Sequence, residues 1–394
     1  FGVRFFSLHH TNMGGGQSGQ VAPPGKYPVG VTTIQFDDHS RKDPQGGPRS
    51  LQTEIWYPAG AGWDACPPNK FSDFLCRGQV EGAIAAAEEK DAIGGYREDP
   101  PLTIEELDRT FVNGARRDAP LAQGRFPLVV FSHGNGAFRG SYVHLTEYLA
   151  SQGFVVVVPD HCGNARYTVV NNRVVKAGGP YAATAHEERP KDVIFLINRL
   201  EAMDKGADSR FCGRVDTSKV GVAGMSFGGY TTAWVADEIK DPRVAAIVLH
   251  CPTITEVENR PVVAIPRKNP GLPCLIMIGN EDAIKANYND RTIEYFEKSE
   301  GTRCLVTIQR AGHCSFTSCE LYNPAYGNGI GPSKSRTKPG ELYEPLPPGQ
   351  MHDVINSYTV AWLRRHVLGD DGAEPFFSAN HFGEEVVVDY RAGA

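Results

Sequence analysis

The chain has 394 residues, is 41% hydrophobic and 22% charged, and carries a net charge of −6 with no block of like charge. That composition belongs to a folded protein with a real core, and it excludes disorder, a collagen helix and a coiled coil. It also argues against nucleic acid or an anionic membrane as the main partner, since both attract a basic face.

The 43 glycines and 28 prolines require much loop. The longest apolar run beside a strand, residues 154–159, is far short of the ~20 that a spanning helix needs. The chain starts at Phe1 rather than Met, which makes a processed chain with a removed signal peptide an expectation. Nine cysteines include no Cys-x-x-Cys pair, and Cys314 and Cys319 lack partners at zinc-finger spacing, so no metal is expected. Cys66 and Cys76 bracket one loop, and Cys304, Cys314 and Cys319 cluster late. Disulfides in an oxidising, secreted or periplasmic setting are one expectation and buried free thiols the other.

Residues 1–28 read as an arm without a core of its own. Residues 29–36 and 51–57 are β-rich runs split by the turn-forming Asp43-Pro44-Gln45-Gly46-Gly47-Pro48, an antiparallel pair. Residues 59–125 read as an insertion, with helical composition at 83–90 and 104–117 interrupted by Pro67-Pro68 and Pro100-Pro101. A regular texture follows. Strands are expected at 127–132, 154–159, 219–223, 244–250, 274–278 and 304–309. Helices are expected at 141–151, 189–203, 227–239 and 290–298. The strands are continuous apolar runs, as in Val155-Val156-Val157-Val158, which is how a parallel strand buried on both faces looks. The alternation gives an α/β fold, a mostly parallel doubly wound sheet with helices on both faces. A Pro/Gly-rich loop at 321–350 precedes a last helix at 353–367, and residues 370–394 form a tail.

Gly224-Met225-Ser226-Phe227-Gly228 follows an apolar strand and opens a helix. A tight strand-to-helix turn places a serine in a strained backbone that only small flanking residues permit, with its hydroxyl clear of the sheet at a helix N-terminus. Ser226 is therefore the expected nucleophile, and a serine hydroxyl needs a base. His313, in a short loop after a strand, fits better than His250, His352, His366 or His381. Asp282 follows the strand at 274–278, at the carboxyl end where catalytic groups gather in open α/β sheets. It is the expected acid that orients the imidazole, with Glu281, Glu256 and Asp290 as rivals. The loop Ser132-His133-Gly134-Asn135-Gly136 supplies one oxyanion amide from Asn135, and Phe227 supplies the other. His133 precedes the nucleophile in the chain and is expected to brace that loop.

The segment FPLVVFSHGNGAFRGSYVHLTEYLASQGFVVVVPDHCGNA (126–165) closely resembles the platelet-activating-factor acetylhydrolases. It is also similar to cutinase-like polyester hydrolases and dienelactone-hydrolase-like esterases. The resemblance continues through GVAGMSFGGY (221–230) and PCLIMIGNEDAI (273–284) to RAGHCSF (310–316). It implies an α/β-hydrolase domain over residues 29–369, ester hydrolysis through an acyl-serine, Ser226 as nucleophile and His313 as base. It implies no cofactor. The acetylhydrolases place their acid just after the strand that here ends Leu249-His250-Cys251, where this chain has histidine. Asp282 fills the acid position of the polyester hydrolases. Dienelactone hydrolases use a cysteine nucleophile where this chain has serine. The insertion resembles a lipid-contacting region of the acetylhydrolases, but Glu88-Glu89-Lys90-Asp91 gives it little apolar surface, and no membrane role is expected. A serine esterase acting on a small-molecule, lipid or polymer ester is the first expectation. An amidase or peptidase on the same fold and an inactive binding relative are the alternatives.

Overall fold

Ten strands form one sheet in the computed structural model, which describes residues 25–75, 103–111, 113–254, 261–284, 287–318 and 328–393. In chain order the strands are β1 (Val29–Lys42), β2 (Pro48–Pro58), β3 (Arg116–Arg117), β4 (Phe126–Ser132), β5 (Val155–Pro159), β6 (Tyr167–Val170) and β7 (Arg173–Lys176). They continue with β8 (Val215–Met225), β9 (Val244–His250), β10 (Cys274–Gly279), β11 (Arg303–Ile308), β12 (Ser333–Lys334), β13 (Leu342–Tyr343) and β14 (Val386–Arg391). The sheet order is β14-β11-β10-β9-β8-β4-β5-β2-β1-β3. From β11 to β5 every neighbour is parallel, while β2 joins β5 antiparallel and β14 joins β11 antiparallel. This is the α/β-hydrolase arrangement, with the carboxyl ends of β4, β8, β9, β10 and β11 along one edge.

The apolar runs explain the layers. Along β4, Leu128 and Val130 belong to one buried cluster and Val129 and Phe131 to the other; β8 divides in the same way, Val222 against Ala223. Strands with no polar face must be covered on both sides. Helices α2 (Val143–Ser151) and α6 (Pro348–Leu363) cover one face through Leu145, Leu149, Ile355 and Trp362. Helices α3 (Ala185–Ala202), α4 (Phe227–Trp234) and α5 (Tyr288–Lys298) cover the other through Leu196, Tyr230 and Phe296.

Within the insertion helix α1 (Ile104–Thr110) is started by a capping box in which Thr103 accepts from the Glu106 amide and Glu106 accepts from the Thr103 amide. It stops short of the expected residue 117 because Arg116–Arg117 pairs with β1 and Arg117 forms an ion pair with buried Glu54. Phe71, Phe74, Phe111 and Phe138 pack edge to face and tie the insertion to the loop after β4. The helix expected from residue 189 starts at Ala185. The hairpin β6–β7 was not anticipated, and the region expected as a tail contributes edge strand β14, with Val386 opposite Ile308.

The seven described cysteines are free thiols; Cys76 and Cys319, like the helix expected at 83–90, the arm up to residue 24 and the rival acid Glu256, lie outside the described residues. Among the described residues no helix is long and apolar enough to cross a membrane.

Candidate active site

The turn from β8 into α4 puts Ser226 at φ 56°, ψ −116°, a conformation that L-residues rarely adopt. The chain around it holds the strain: the Ser226 amide donates to His250 O at 2.8 Å, and its carbonyl accepts from Tyr230 N at 3.0 Å and Thr253 N at 3.1 Å. The glycines of the pentapeptide are there for space. A Cβ on Gly228 would stand 1.8 Å from Ser132 O, and one on Gly224 would stand 2.3 Å from Gly228 O. Only bare backbone lets β8, α4 and the end of β4 meet so closely.

On the neighbouring carboxyl ends, β10 runs into Asp282 and β11 into His313. His313 Nδ1 lies 2.7 Å from Asp282 Oδ2. Asp282 Oδ1 accepts from the Ile284 amide at 3.2 Å, and the Cys251 thiol also reaches the carboxylate. Burial would raise the Asp282 pKa, but the neighbouring His313, these hydrogen bonds and the thiol outweigh it and hold it below the usual carboxylate range. The His313 amide is anchored on Asn328 Oδ1 at 2.8 Å. A Cβ on Gly279 would stand 2.2 Å from Ala311 O, so glycine lets the acid loop and the histidine loop touch.

The rivals face elsewhere. Glu281 accepts from Ser335 Oγ, from the Arg336 amide at 2.6 Å and from the Thr337 amide and hydroxyl, pinning the loop around β12. Asp290 is exposed. His250 is buried against Thr359, and burial pushes its pKa down to about 3. His352 stacks on His144 with centroids 3.8 Å apart, and His381 stacks on Phe376 at 4.0 Å. His366 lies against Trp362, and burial lowers its pKa to about 4.

The loop after β4 runs beside the serine: a Cβ on Gly134 would lie 3.5 Å from Ser226 Cβ. Its Gly134 amide is taken by Tyr142 Oη at 3.0 Å and its Gly136 amide by Asn164 O at 3.1 Å. Among the described residues the Asn135 amide donates to no protein group, which leaves it for a ligand. Phe227 opens α4, where backbone N–H groups lack helical partners.

Beneath this loop lies a second arrangement of the same residue types, which the motifs did not reveal. Ser132 Oγ donates to His161 Nε2 at 2.9 Å, and His161 Nδ1 donates to Asp192 Oδ2 at 2.9 Å. All three are fully buried. Arg49 grips Asp192 with two 2.7 Å hydrogen bonds, so although burial favours the neutral acid, Asp192 titrates far below its usual range. The Ser132 hydroxyl also accepts from Arg189 Nη2 at 2.9 Å. Burial and the Arg189 charge press His161 down to about 3 and His133 well below its ordinary value. The His133 Nε2 therefore accepts from the His161 amide at 3.1 Å, while Nδ1 donates to Gly134 O at 2.7 Å.

Among the described residues, one group has the composition and closeness to hold a metal: Cys251, Asp282 and His313, whose ligand atoms lie within 4.8 Å of one another. Those atoms already share protons. Burial raises the Cys251 thiol well above its usual pKa, so it is a donor to Asp282 rather than a thiolate.

Residues 110–178 match the family model described as platelet-activating factor acetylhydrolase, isoform II. The platelet-activating factor acetylhydrolase of Cavia porcellus is 26% identical over 70% of this chain and 65% of its own length. That of Gallus gallus is 23% identical over 64% of this chain and 65% of its own. The chain thus spans just under two thirds of these curated relatives. In the solved structures, a ferulic acid esterase from Streptomyces cinnamoneus superposes with a TM-score of 0.65 at 23% identity, covering 93% of this chain and 98% of that one. The chain has the α/β-hydrolase fold, and it is similar in sequence to the platelet-activating factor acetylhydrolases and in fold to a ferulic acid esterase.

Proposed function

We propose that the protein is a serine hydrolase that cleaves carboxylic esters through an acyl-serine, with Ser226, His313 and Asp282 as its catalytic residues. The observation that carries this is the 2.7 Å hydrogen bond from His313 to Asp282 on strand ends at the same edge of the sheet as a serine held at positive φ. Ser226 Oγ attacks the ester carbonyl carbon while its proton passes to His313 Nε2. Asp282 holds the Nδ1 proton and stabilises the imidazolium. The carbonyl oxygen becomes an anion facing the Asn135 and Phe227 amides. Collapse breaks the C–O bond, and the departing alcohol takes the proton from His313. Water then repeats the sequence, giving the carboxylic acid and free Ser226.

A short acyl group or a compact aromatic acyl group is the proposed substrate class. It draws on relatives named for acetyl hydrolysis and a fold neighbour named for ferulic acid. Intact-protein mass spectrometry after fluorophosphonate treatment should show one adduct, on Ser226, that is absent from Ser226→Ala. The same substitution should lower kcat on p-nitrophenyl acetate by several orders of magnitude with the fold retained. Near-normal turnover by Ser226→Ala would remove the assignment, and faster turnover of matched anilides than of esters would make the enzyme an amidase.

A further inference from the structure

The two amides assigned to the oxyanion come from different elements, the loop after β4 and the first residue of α4. Nothing in a strand-to-helix turn fixes the distance between them, yet preorganised donors must sit within about 0.5 Å of the working position. One side chain touches both. Arg189, from the first turns of α3, is fully buried. Its Nη2 donates to Ser132 Oγ at 2.9 Å and to the carbonyl of His133, the residue just before Gly134. Its Nη1 donates to Asn164 Oδ1. Asn164 in turn reaches into the oxyanion loop, with Nδ2 on Asn135 Oδ1 at 2.8 Å and its carbonyl on the Gly136 amide at 3.1 Å. The same guanidinium lies over the Phe227 ring, Cζ 4.4 Å from the centroid.

We propose that Arg189 is the positioning residue of the oxyanion hole, a three-way strut that sets the Asn135 amide and the Phe227 amide in mutual register. This rests on the acyl-serine chemistry above. Arg189 acts through the loop and the helix start. The chemistry requires arginine. A planar fork can serve Ser132, His133 and Asn164 from one end while its charge sits over an aromatic ring; an ammonium is a compact point donor that cannot span all of these partners. The Ser132–His161–Asp192–Arg49 chain lies on the other side of the strut. It fixes the direction of the Ser132 hydroxyl, so its lone pair is always presented to Arg189.

The test compares Arg189→Lys and Arg189→Met with wild type, each at concentrations set by end-point fluorophosphonate titration. With p-nitrophenyl acetate, kcat should fall about 10- to 100-fold, a fraction of the 10²–10³ that follows loss of an oxyanion donor outright, while KM stays within about threefold. The decisive readout is a trifluoromethyl ketone, whose adduct with serine carries the oxyanion: its Ki should rise in step with the fall in kcat/KM. Folded Arg189→Lys with wild-type kcat and wild-type Ki would overturn the proposal. If neither variant folds, Asn164→Ala cuts only the link to Asn135. It should lower kcat about 3- to 10-fold with a matching rise in Ki, and an unchanged Ki would overturn the strut. Absence of the Ser226 adduct in wild type would instead remove the acyl-serine chemistry itself, so the two failures are separable.

Discussion

Replacing Asp282 with asparagine isolates the orientation of His313 from every other feature of the site. In the native protein Oδ1 accepts the Ile284 amide at 3.2 Å and Oδ2 meets His313 Nδ1 at 2.7 Å. In Asp282→Asn the carbonyl must remain toward Ile284, because an NH₂ there would face another N–H. The NH₂ then faces Nδ1, which has to accept. The imidazole proton moves to Nε2, the atom that should take the proton of Ser226. The same change in a serine-protease triad lowers kcat about 10⁴-fold. Here the fall should be about 10³- to 10⁴-fold, or about 4 to 5.5 kcal/mol of barrier, with KM altered by only a few-fold. Glu281→Gln is the matched control. Its carboxylate is spent on Ser335, Arg336 and Thr337, so this variant should lose thermal stability and keep kcat within about threefold. Glu256→Gln completes the set. Steady-state kinetics on p-nitrophenyl acetate with titrated active sites compares all three. If Asp282→Asn keeps more than a tenth of wild-type kcat while Glu256→Gln loses it, the acid has been assigned to the wrong strand.

Two glycine substitutions should behave oppositely. Gly228→Ala cannot be accommodated, with its Cβ 1.8 Å from a backbone oxygen, and should lower the yield of folded protein. Gly134→Ala meets Tyr142, Met225 and Ser226 at 3.1 to 3.5 Å and should fold but lose about tenfold or more in kcat; equal activity in both would contradict the packing. Cys251→Ala removes a thiol donor from Asp282 and should lower kcat by about two- to fivefold, whereas Cys251→Ser, which keeps a donor, should retain more activity. Iodoacetamide on the native protein should label exposed Cys212 before buried Cys274, whose thiol burial pushes up to about 11; peptide mass spectra showing the reverse order would refute this. Burial raises Glu147 from 4.5 to about 7, although the Gly114 amide at 2.6 Å opposes it. Between those values the folded state binds more protons than the unfolded, so this group makes stability fall as pH rises from 4.5 to 7. Glu147→Gln should therefore gain Tm relative to wild type on going from pH 5 to pH 8, and a constant difference would count against it.

The central layers were legible because burial on both faces leaves an unbroken apolar run in each of β4 (127–131), β5 (155–158), β8 (220–223) and β9 (244–249), a pattern that no solvent-exposed strand shows. The pentapeptide around Ser226 was legible for a steric reason, since Gly224 and Gly228 stand where any Cβ would strike backbone. Strand β14 was missed because an edge strand needs only one apolar flank, and its exposed Val387 with Asp389 and Arg391 resembles a solvated tail. Helix α3 was started late because Pro190 usually marks a helix's first turn, while here the chain adds Ala185–Glu188 ahead of it. Arg189 carried no sequence signal at all. Its partners lie 25 to 57 residues earlier in the chain, and only the crossing of α3 beneath β4 brings them together.

Two buried histidine–aspartate pairs coexist in this molecule, and the length of the bond between the partners does not tell them apart. His161 to Asp192 is 2.9 Å and His313 to Asp282 is 2.7 Å. What sets the His161 pair apart is the state of its serine and the cost of placing a proton on its imidazole. Ser132 lies inside β4 with no exposed surface, and both its donor and acceptor capacities are engaged, by His161 and Arg189. A carbonyl carbon has no room to approach it. His161 cannot serve as base, because burial and the charge of Arg189 make protonation costly until about pH 3. Ser226 is partly exposed, is turned out of the sheet by a strained backbone, and sits where a loop amide stands unused. The buried chain thus has the composition of a triad and the physics of a brace, a fully satisfied polar network that gives one unique arrangement. Its rigidity serves the proposed acyl-serine chemistry through Arg189, which carries it to the loop after β4.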